Sequence, residues 1–301
     1  MGKVSRGFRV ILRQNINQFC FLNIIHYNLI HHLKMKKLLF NPKIVLLALL
    51  SIAAILRIFS FNWNAFPHGD VQEEAAASAS FLENGNFIIE KYSESAPQDP
   101  FYYSIKEKNG RFLSHQGPLW PMLGAGATYL FGLKPSPENN FFSFRILSLL
   151  SGLILIISAY ILTKRLIGRG AALAIAGWLS FSYLMIDYSG NGAFYSLHAF
   201  LYIVWIMIAL RKNDPYKPLY FGVLTGLGYL LNFQFLAAIP ASILVLLMEE
   251  EKTLAKKIKN AAIMSAVILL IISPWLIRNY LLFGDPFFHN YLAMAYFWNK
   301  I

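Results

Sequence analysis

Long apolar runs alternate with short polar ones along this chain, and their lengths predict a series of membrane helices. The first run, Ile44 to Phe59, follows Lys34, Lys36, Lys37 and Lys43 and has no small-residue cleavage site after it. It reads as an uncleaved span that begins on the cytoplasmic side. A polar, acidic stretch follows from Phe61 to about Gly117. Within it, Asp70, Gln72, Glu73, Glu74 and an Ala-rich run to Leu82, closed by Gly85, predict a helix. Asp70 would be its N-cap, Glu73 its capping-box partner and Gly85 its stop. The segment from Lys91 to Arg111, with Pro97, Pro100 and Gly110, is expected to be irregular or to form a short hairpin.

Leu119 to Phe131 is apolar but short, roughly 20 Å as a helix against a hydrocarbon core of about 30 Å, so it is expected to lie along the interface. The next spans fall at about 145–164, 171–186 and 193–210. This arrangement leaves Lys164, Arg165 and Arg169, and then Arg211, Lys212 and Lys217, on the cytoplasmic side, as the positive-inside rule requires. Leu219 to Met248 would make about 45 Å of helix, too long for one comfortable span. Interrupted at Asn232-Phe233-Gln234, it can be a helical hairpin, which returns Lys252, Lys256, Lys257 and Lys259 to the inside. A last span, about 262–281, runs outward. The expected fold class is therefore an all-α polytopic membrane protein with about seven transmembrane helices. Its large outer first loop, about 60–118, would carry interfacial helices, with another at about 119–132. Residues 1–34 show no clean period and are expected to be a poorly ordered or spurious extension, with Met35 the true start of a module running over 35–301. Gly222, Gly226 and Gly228 offer close helix packing.

Composition agrees: 56% of the 301 residues are hydrophobic and 14% charged, well below the quarter of charged residues usual in soluble domains. The net charge of +12 is spread in short clusters between apolar runs, which fits membrane topology and anionic lipid and not a nucleic-acid face. Cys20 is the only cysteine, which excludes an internal disulfide framework and a multi-cysteine metal site.

Phe66-Pro67-His68-Gly69-Asp70-Val71-Gln72-Glu73-Glu74 puts three carboxylates at a water–membrane boundary, where charge must stay wet or find partners. Asp70 is open to two compatible readings, a helix N-cap and a base, since a helix N-terminus favours the ionised form. Asp187, in Asp187-Tyr188-Ser189-Gly190-Asn191-Gly192, is a turn residue or a second outward acid. Arg278 either snorkels to headgroups or, beside Pro274, meets a lipid phosphate, and Arg145 is a second outward cation. His68, His115, Asp99 and Asp70 could converge on a divalent metal, or be solvated loop residues.

Several motifs recur here in order. They are Gly69-Asp70 with Glu73 after the first span, the Ala-rich helix ending at Gly85, and Gln116-Gly117-Pro118-Leu119. Phe131-Gly132, Arg145-Ile146-Leu147-Ser148, Pro274-Trp275-Leu276-Ile277-Arg278-Asn279-Tyr280 and Gly284-Asp285-Pro286 complete the series. On these, from about Lys36 to the end, the chain resembles the GT-C superfamily of polyprenyl-phosphate-sugar-dependent glycosyltransferases. It resembles in particular the branch that includes the protein O-mannosyltransferases and the lipid A aminoarabinose transferases.

The resemblance implies inverting transfer of a hexose or pentose from a polyprenyl-phosphate-linked donor. The acceptor would be a lipid, protein or glycan on the outer side of a bacterial plasma membrane. Such a reaction needs a base for the acceptor proton and cations or a metal for the departing phosphate. Asp70 then falls at the catalytic aspartate, with Asp187 secondary. Glu73, His115, Gln116, Arg145, Asn232, Gln234 and Arg278 become the candidate substrate contacts. Gln116, Asn232 and Gln234 are amides where many relatives carry lysine, so fewer cations would meet the donor phosphate. Members of the superfamily usually continue beyond a seventh span, so a fragment or a non-catalytic copy is an alternative. A transporter or flippase is another, although it predicts mid-span charges and related halves that this sequence lacks.

Overall fold

The computed structural model describes residues 41–61, 69–89, 105–106, 112–113, 117–212, 214–249 and 253–287. The expectations for residues 1–34 and for Met35 lie outside this range. The chain forms two units, Met1–Leu49 and Leu50–Ile301. Described residues of the first are the start of helix α1 (Pro42–Phe59); the rest of α1 and every later element belong to the second.

The expected acidic-loop helix is α2 (Gly69–Asn84). It ends where Gly85 turns left-handed at φ 66° and its N–H closes on the Phe81 carbonyl at 3.0 Å. Two-residue strands β1 (Ile105–Lys106) and β2 (Phe112–Leu113) pair antiparallel, Ile105 with Leu113 and Lys106 with Phe112; of the two expectations for 91–111, irregular or a short hairpin, this pairing agrees with the second, with β2 just past Arg111. Helix α3 (Leu119–Leu130) has 12 residues, about 18 Å, too short to cross a bilayer. Gly132 stops it at φ 66°, with the Leu133 N–H bonded back to the Thr128 carbonyl at 3.1 Å.

Helix α4 (Pro137–Leu166) begins about two turns ahead of the expected span, because Ser136 caps it by accepting the Asn139 N–H at 3.2 Å and Pro137 fits the first turn. The third span, expected to be continuous, is broken: α5 (Arg169–Phe181) and α6 (Tyr183–Gly190) meet at 60°. No glycine or proline marks that break. The Ser180 hydroxyl back-bonds to the Ala176 carbonyl at 2.7 Å, Ser182 is extended, and the carbonyls of Leu179 and Ser180 turn to the guanidinium of Arg57. Helix α7 (Tyr195–Ala209) follows, then α8 (Lys217–Leu231), a 3₁₀ turn (Phe233–Ala237), α9 (Ala238–Leu247) and α10 (Leu254–Phe283). The hairpin interruption comes at Asn232, as the sequence indicates, where Oδ1 accepts the Gln234 N–H at 2.9 Å.

A Cβ on Gly222 would lie 2.7 Å from Cβ of Val267, and one on Gly226 would lie 3.0 Å from Cβ of Ile271. The two glycines thus let α8 and α10 run parallel at close range, and their C-termini lie at the same end. Phe221, Leu224, Met264, Ile268 and Ile272 fill the core between them. At the basic end, Lys217 Nζ sits 2.9 Å from Glu249 Oε1 and donates to the Ala209 carbonyl at 3.3 Å, while Lys257 Nζ donates to the Leu247 carbonyl at 2.7 Å. The cations that set topology in the sequence also cap the C-terminal carbonyls of α7 and α9.

Three described helices, α1, α4 and α10, are each long and apolar enough to cross a membrane, and the bent α5–α6 pair makes a fourth. The remaining apolar helices are shorter: α7 has 15 residues, about 22 Å. The protein is an all-α integral membrane protein, and helix length alone does not reach the expected seven spans.

Candidate active site at the acidic-loop end

An Ala-rich helix can be packed on both sides, and α2 is. Val71 and Ala75 join Trp120 of α3, Phe144 of α4, Ala193 and Phe194 before α7, and Leu231 at the end of α8 in one buried cluster. Ala76 and Ala77 pack on the returning segment at Ile89. Trp120 stacks on Phe144 at 5.3 Å and donates Nε1–H to the Gly192 carbonyl at 3.1 Å. Gly117 has no room for a Cβ, which would strike the Leu230 carbonyl.

Polar groups then fix the helix. Asn140 Oδ1 accepts the hydroxyls of Ser78 at 2.8 Å and Thr128 at 2.7 Å, Thr128 lies 2.7 Å from the Ser143 hydroxyl, and Asn140 Nδ2 donates to the Ser136 carbonyl at 2.9 Å. All four side chains are fully buried, and together they tie α2, α3 and α4. Nothing in the linear spacing pointed to Asn140, since its partners lie 62 and 12 residues away.

Helix α2 begins at Gly69, so the candidate base Asp70 belongs to its first turn and not to the cap position. The Asp70 side chain lies outside the described residues. Glu73 and its neighbour Glu74 are each 1% exposed and not surface capping groups, so the two acids depend on protein partners for their solvation. Arg145 is also buried, its guanidinium 4.1 Å above the Phe141 ring and 5.5 Å from Phe61. Asp187 is exposed and sits within α6, not in a turn, and its carbonyl accepts the Asn191 N–H at 2.9 Å. Asn232 and the exposed Gln234 form the hairpin apex, where the Gln234 carbonyl meets the Tyr202 hydroxyl at 3.4 Å.

Arg278 is half-buried, stacked 4.3 Å over Trp275 and bonded through Nη1 to Asn279 Oδ1 at 3.0 Å. Trp275 touches Phe87, which follows α2, edge-on at 5.9 Å. The start of α2, Arg145, the hairpin apex and Arg278 therefore all belong to the end of the bundle opposite the lysine clusters. His68, Asp99, His115 and Gln116 lie outside the described residues. Among the described residues no group of three or more His, Cys, Asp or Glu could hold a metal ion.

Sequence reasoning passed over Arg57 and found His198 uninformative. His198 is enclosed by Phe194, Tyr202 and Phe235, with ring centroids at 6.2, 5.0 and 5.5 Å. Arg57, in the last turn of α1, is 1% exposed, and its Nη2 donates to the Leu179 carbonyl at 3.0 Å. A charge inside an apolar helix was the available signal for Arg57.

The model of the family described as dolichyl-phosphate-mannose-protein mannosyltransferase matches residues 115–277, more than half of the chain. The chain belongs to that family. It is accordingly a member of the GT-C superfamily. Among solved structures, this mannosyltransferase-family chain shares its fold with the oligosaccharyltransferase of Archaeoglobus fulgidus. The apo form matches with TM-score 0.57 and 19% identity over 79% of this chain and 30% of that one. The form tethered to an acceptor peptide containing the NVT sequon gives 0.58 and 20% over 86% and 34%. The same enzyme in complex with an inhibitory peptide and a dolichol-phosphate gives 0.56 and 18% over 78% and 29%. The chain thus spans about a third of the length of these structures. No curated protein matches its sequence.

Proposed function

We propose that this chain carries the site that transfers a sugar from a polyprenyl-phosphate donor to an acceptor hydroxyl, on the non-cytoplasmic side of a bacterial plasma membrane. What supports the reading is that the α2 start, Arg145, the hairpin apex and Arg278 lie toward one end of the bundle, away from Lys164, Arg165, Lys217 and Lys257. The family description names a mannosyl phospholipid donor and a protein acceptor, which favours a hexose over a pentose and a protein over a lipid or glycan.

In this mechanism the ionised Asp70 takes the acceptor hydroxyl proton as the oxygen attacks the anomeric carbon from the face opposite the phosphate. The carbon–oxygen bond to phosphate breaks, the configuration inverts, and polyprenyl phosphate leaves with both electrons of that bond. Arg278 binds the phosphate, with Arg145 the second cation. Asn232 and Gln234 at the apex supply amide contacts to the donor, and Glu73 and Asp187 are the further acids at this end. A metal bound through Asp70, His68, Asp99 and His115 would stabilise the phosphate in the same way, and no step of the transfer runs through one.

The test is transfer of labelled mannose from dolichyl-phosphate-mannose to hydroxyl-bearing peptides by the full-length protein in lipid nanodiscs. Asp70→Asn in a chain that still inserts should lower transfer by about 10²-fold or more, the scale of a lost general base. Undiminished activity would defeat the assignment.

A further inference from the structure

Arg57 poses a physical problem. Its guanidinium is 1% exposed, inside an apolar helix, and no carboxylate among the described residues pairs with it. Buried unpaired cations of this kind cost several kcal/mol, so something must hold it there. All its hydrogen bonds go to backbone carbonyls: Nη1 to Ala53 at 3.1 Å and Ser180 at 3.4 Å, and Nη2 to Leu179 at 3.0 Å. Leu179 and Ser180 are the carbonyls that the break after Phe181 deprives of helical partners. The charge also meets the negative end of the α5 dipole. The two Nη groups and the broken helix relieve each other's unmet demand, while the buried Nε makes no hydrogen bond among the described residues.

The bend this clamp holds aims α6 at the candidate site. A Cβ on Gly152 would lie 3.2 Å from Arg57 Nε and would strike the Ser189 hydroxyl, so α4 admits both α6 and the arginine only through glycine. Ser189 Oγ is 2.8 Å from Ser196 Oγ of α7, and Ser148 of α4 donates to the carbonyls of Tyr188 at 2.9 Å and Ala193 at 2.8 Å. From there Gly192 reaches the start of α2, where its Cβ position is 3.4 Å from Val71 Cγ1, the residue after Asp70. An unbroken chain of packed contacts runs from Arg57 through α6 to the helix start that carries Asp70.

We propose that Arg57 is a positioning residue for the transfer reaction: by holding the break between α5 and α6 it sets the 191–194 loop, which follows α6, against the start of α2. This rests on the transferase reading of the site. Replacing the clamp leaves the Leu179 and Ser180 carbonyls unpaired in a dry site, and the helix relieves them by straightening.

Two measurements test it in the full-length protein with Cys20 changed to Ser. With spin labels at Arg169→Cys and Asp187→Cys, straightening from the 60° bend lengthens the distance by about 3 Å on helix geometry. In the unlabelled protein with dolichyl-phosphate-mannose as donor, Arg57→Leu should lower kcat roughly 10- to 100-fold, as a misplacement of about 1 Å does. Donor KM should stay within about threefold, because no donor contact is removed. Arg57→Lys, which keeps charge and donors, should recover part of both the distance and the rate. Arg57→Gln stands in if the leucine variant does not insert. An unchanged label distance, or an unchanged kcat, in Arg57→Leu or its stand-in overturns the proposal. Absence of transfer in the unsubstituted protein instead overturns the transferase reading, so the two failures are separable.

Discussion

At the scale of single residues, the last turns of α10 show how an apolar helix carries a polar end. Pro274 has no N–H for the Leu270 carbonyl, and the Ser273 hydroxyl takes that carbonyl at 3.1 Å. One turn on, Arg278 is held by Trp275 below it and by Asn279, which is itself buried. A guanidinium fixed in this way loses little freedom on meeting a phosphate. Arg278→Ala should raise the donor KM about 10- to 100-fold, the equivalent of a charge-assisted hydrogen bond, with kcat changed less. Arg278→Lys should recover part of it, and steady-state kinetics against donor concentration read both. An unaltered KM would leave Arg278 as a headgroup anchor.

At the scale of elements, α2 is held by shape and by one polar network. Its apolar contacts are mostly alanine and bury little area, so orientation falls to Ser78, Asn140, Thr128 and Ser143. Asn140→Ala strands the Ser78 hydroxyl and half of the Thr128 pairing. It should destabilise the protein by about 1–3 kcal/mol, seen as a lower unfolding midpoint in mixed detergent micelles. Asn140→Asp keeps the accepting oxygens but buries a charge beside the Ser136 carbonyl, and should fare no better. A midpoint equal to that of the unsubstituted protein for Asn140→Ala would show that packing alone orients α2. Gly117, Gly124 and Gly152 mark the other constraint, since each stands where another element's atoms occupy the Cβ position.

At the scale of the whole molecule, the clusters at Lys164 and Arg165, at Lys217 and at Lys257 gather at one end and the candidate site at the other. That polarity predicts labelling. With Cys20 replaced, Asn84→Cys, exposed at the end of α2, should react with a membrane-impermeant maleimide on intact cells. Arg165→Cys, exposed at the end of α4, should react only after permeabilisation. The reverse pattern would invert the topology and remove the outward site.

Much of this was legible from composition and pattern. Apolar runs long enough to cross lipid must be helical, and lysines must lie on the side they cannot leave, so α1, α4, α10 and the hairpin at Asn232 follow from local sequence. The α2 stop and the short α3 follow from glycine and from length. The kink after Phe181 was not legible, because no residue at the break is a helix breaker; the carbonyls it frees are met by Arg57, more than 120 residues earlier.

What the sequence determined by itself is a helical membrane protein with a polarised charge pattern and an acidic turn at Asp70, because helix, span and topology depend on neighbours along the chain. Only the tertiary structure decided which polar groups are buried and what they meet. Glu73 and Glu74 went inside, Asp187 came out on a helix, and Asn140 and Arg57 became the ties. Burial and hydrogen bonding are settled between elements distant in sequence, where a low-dielectric interior makes each unmatched polar group costly and so selects the one packing that matches them.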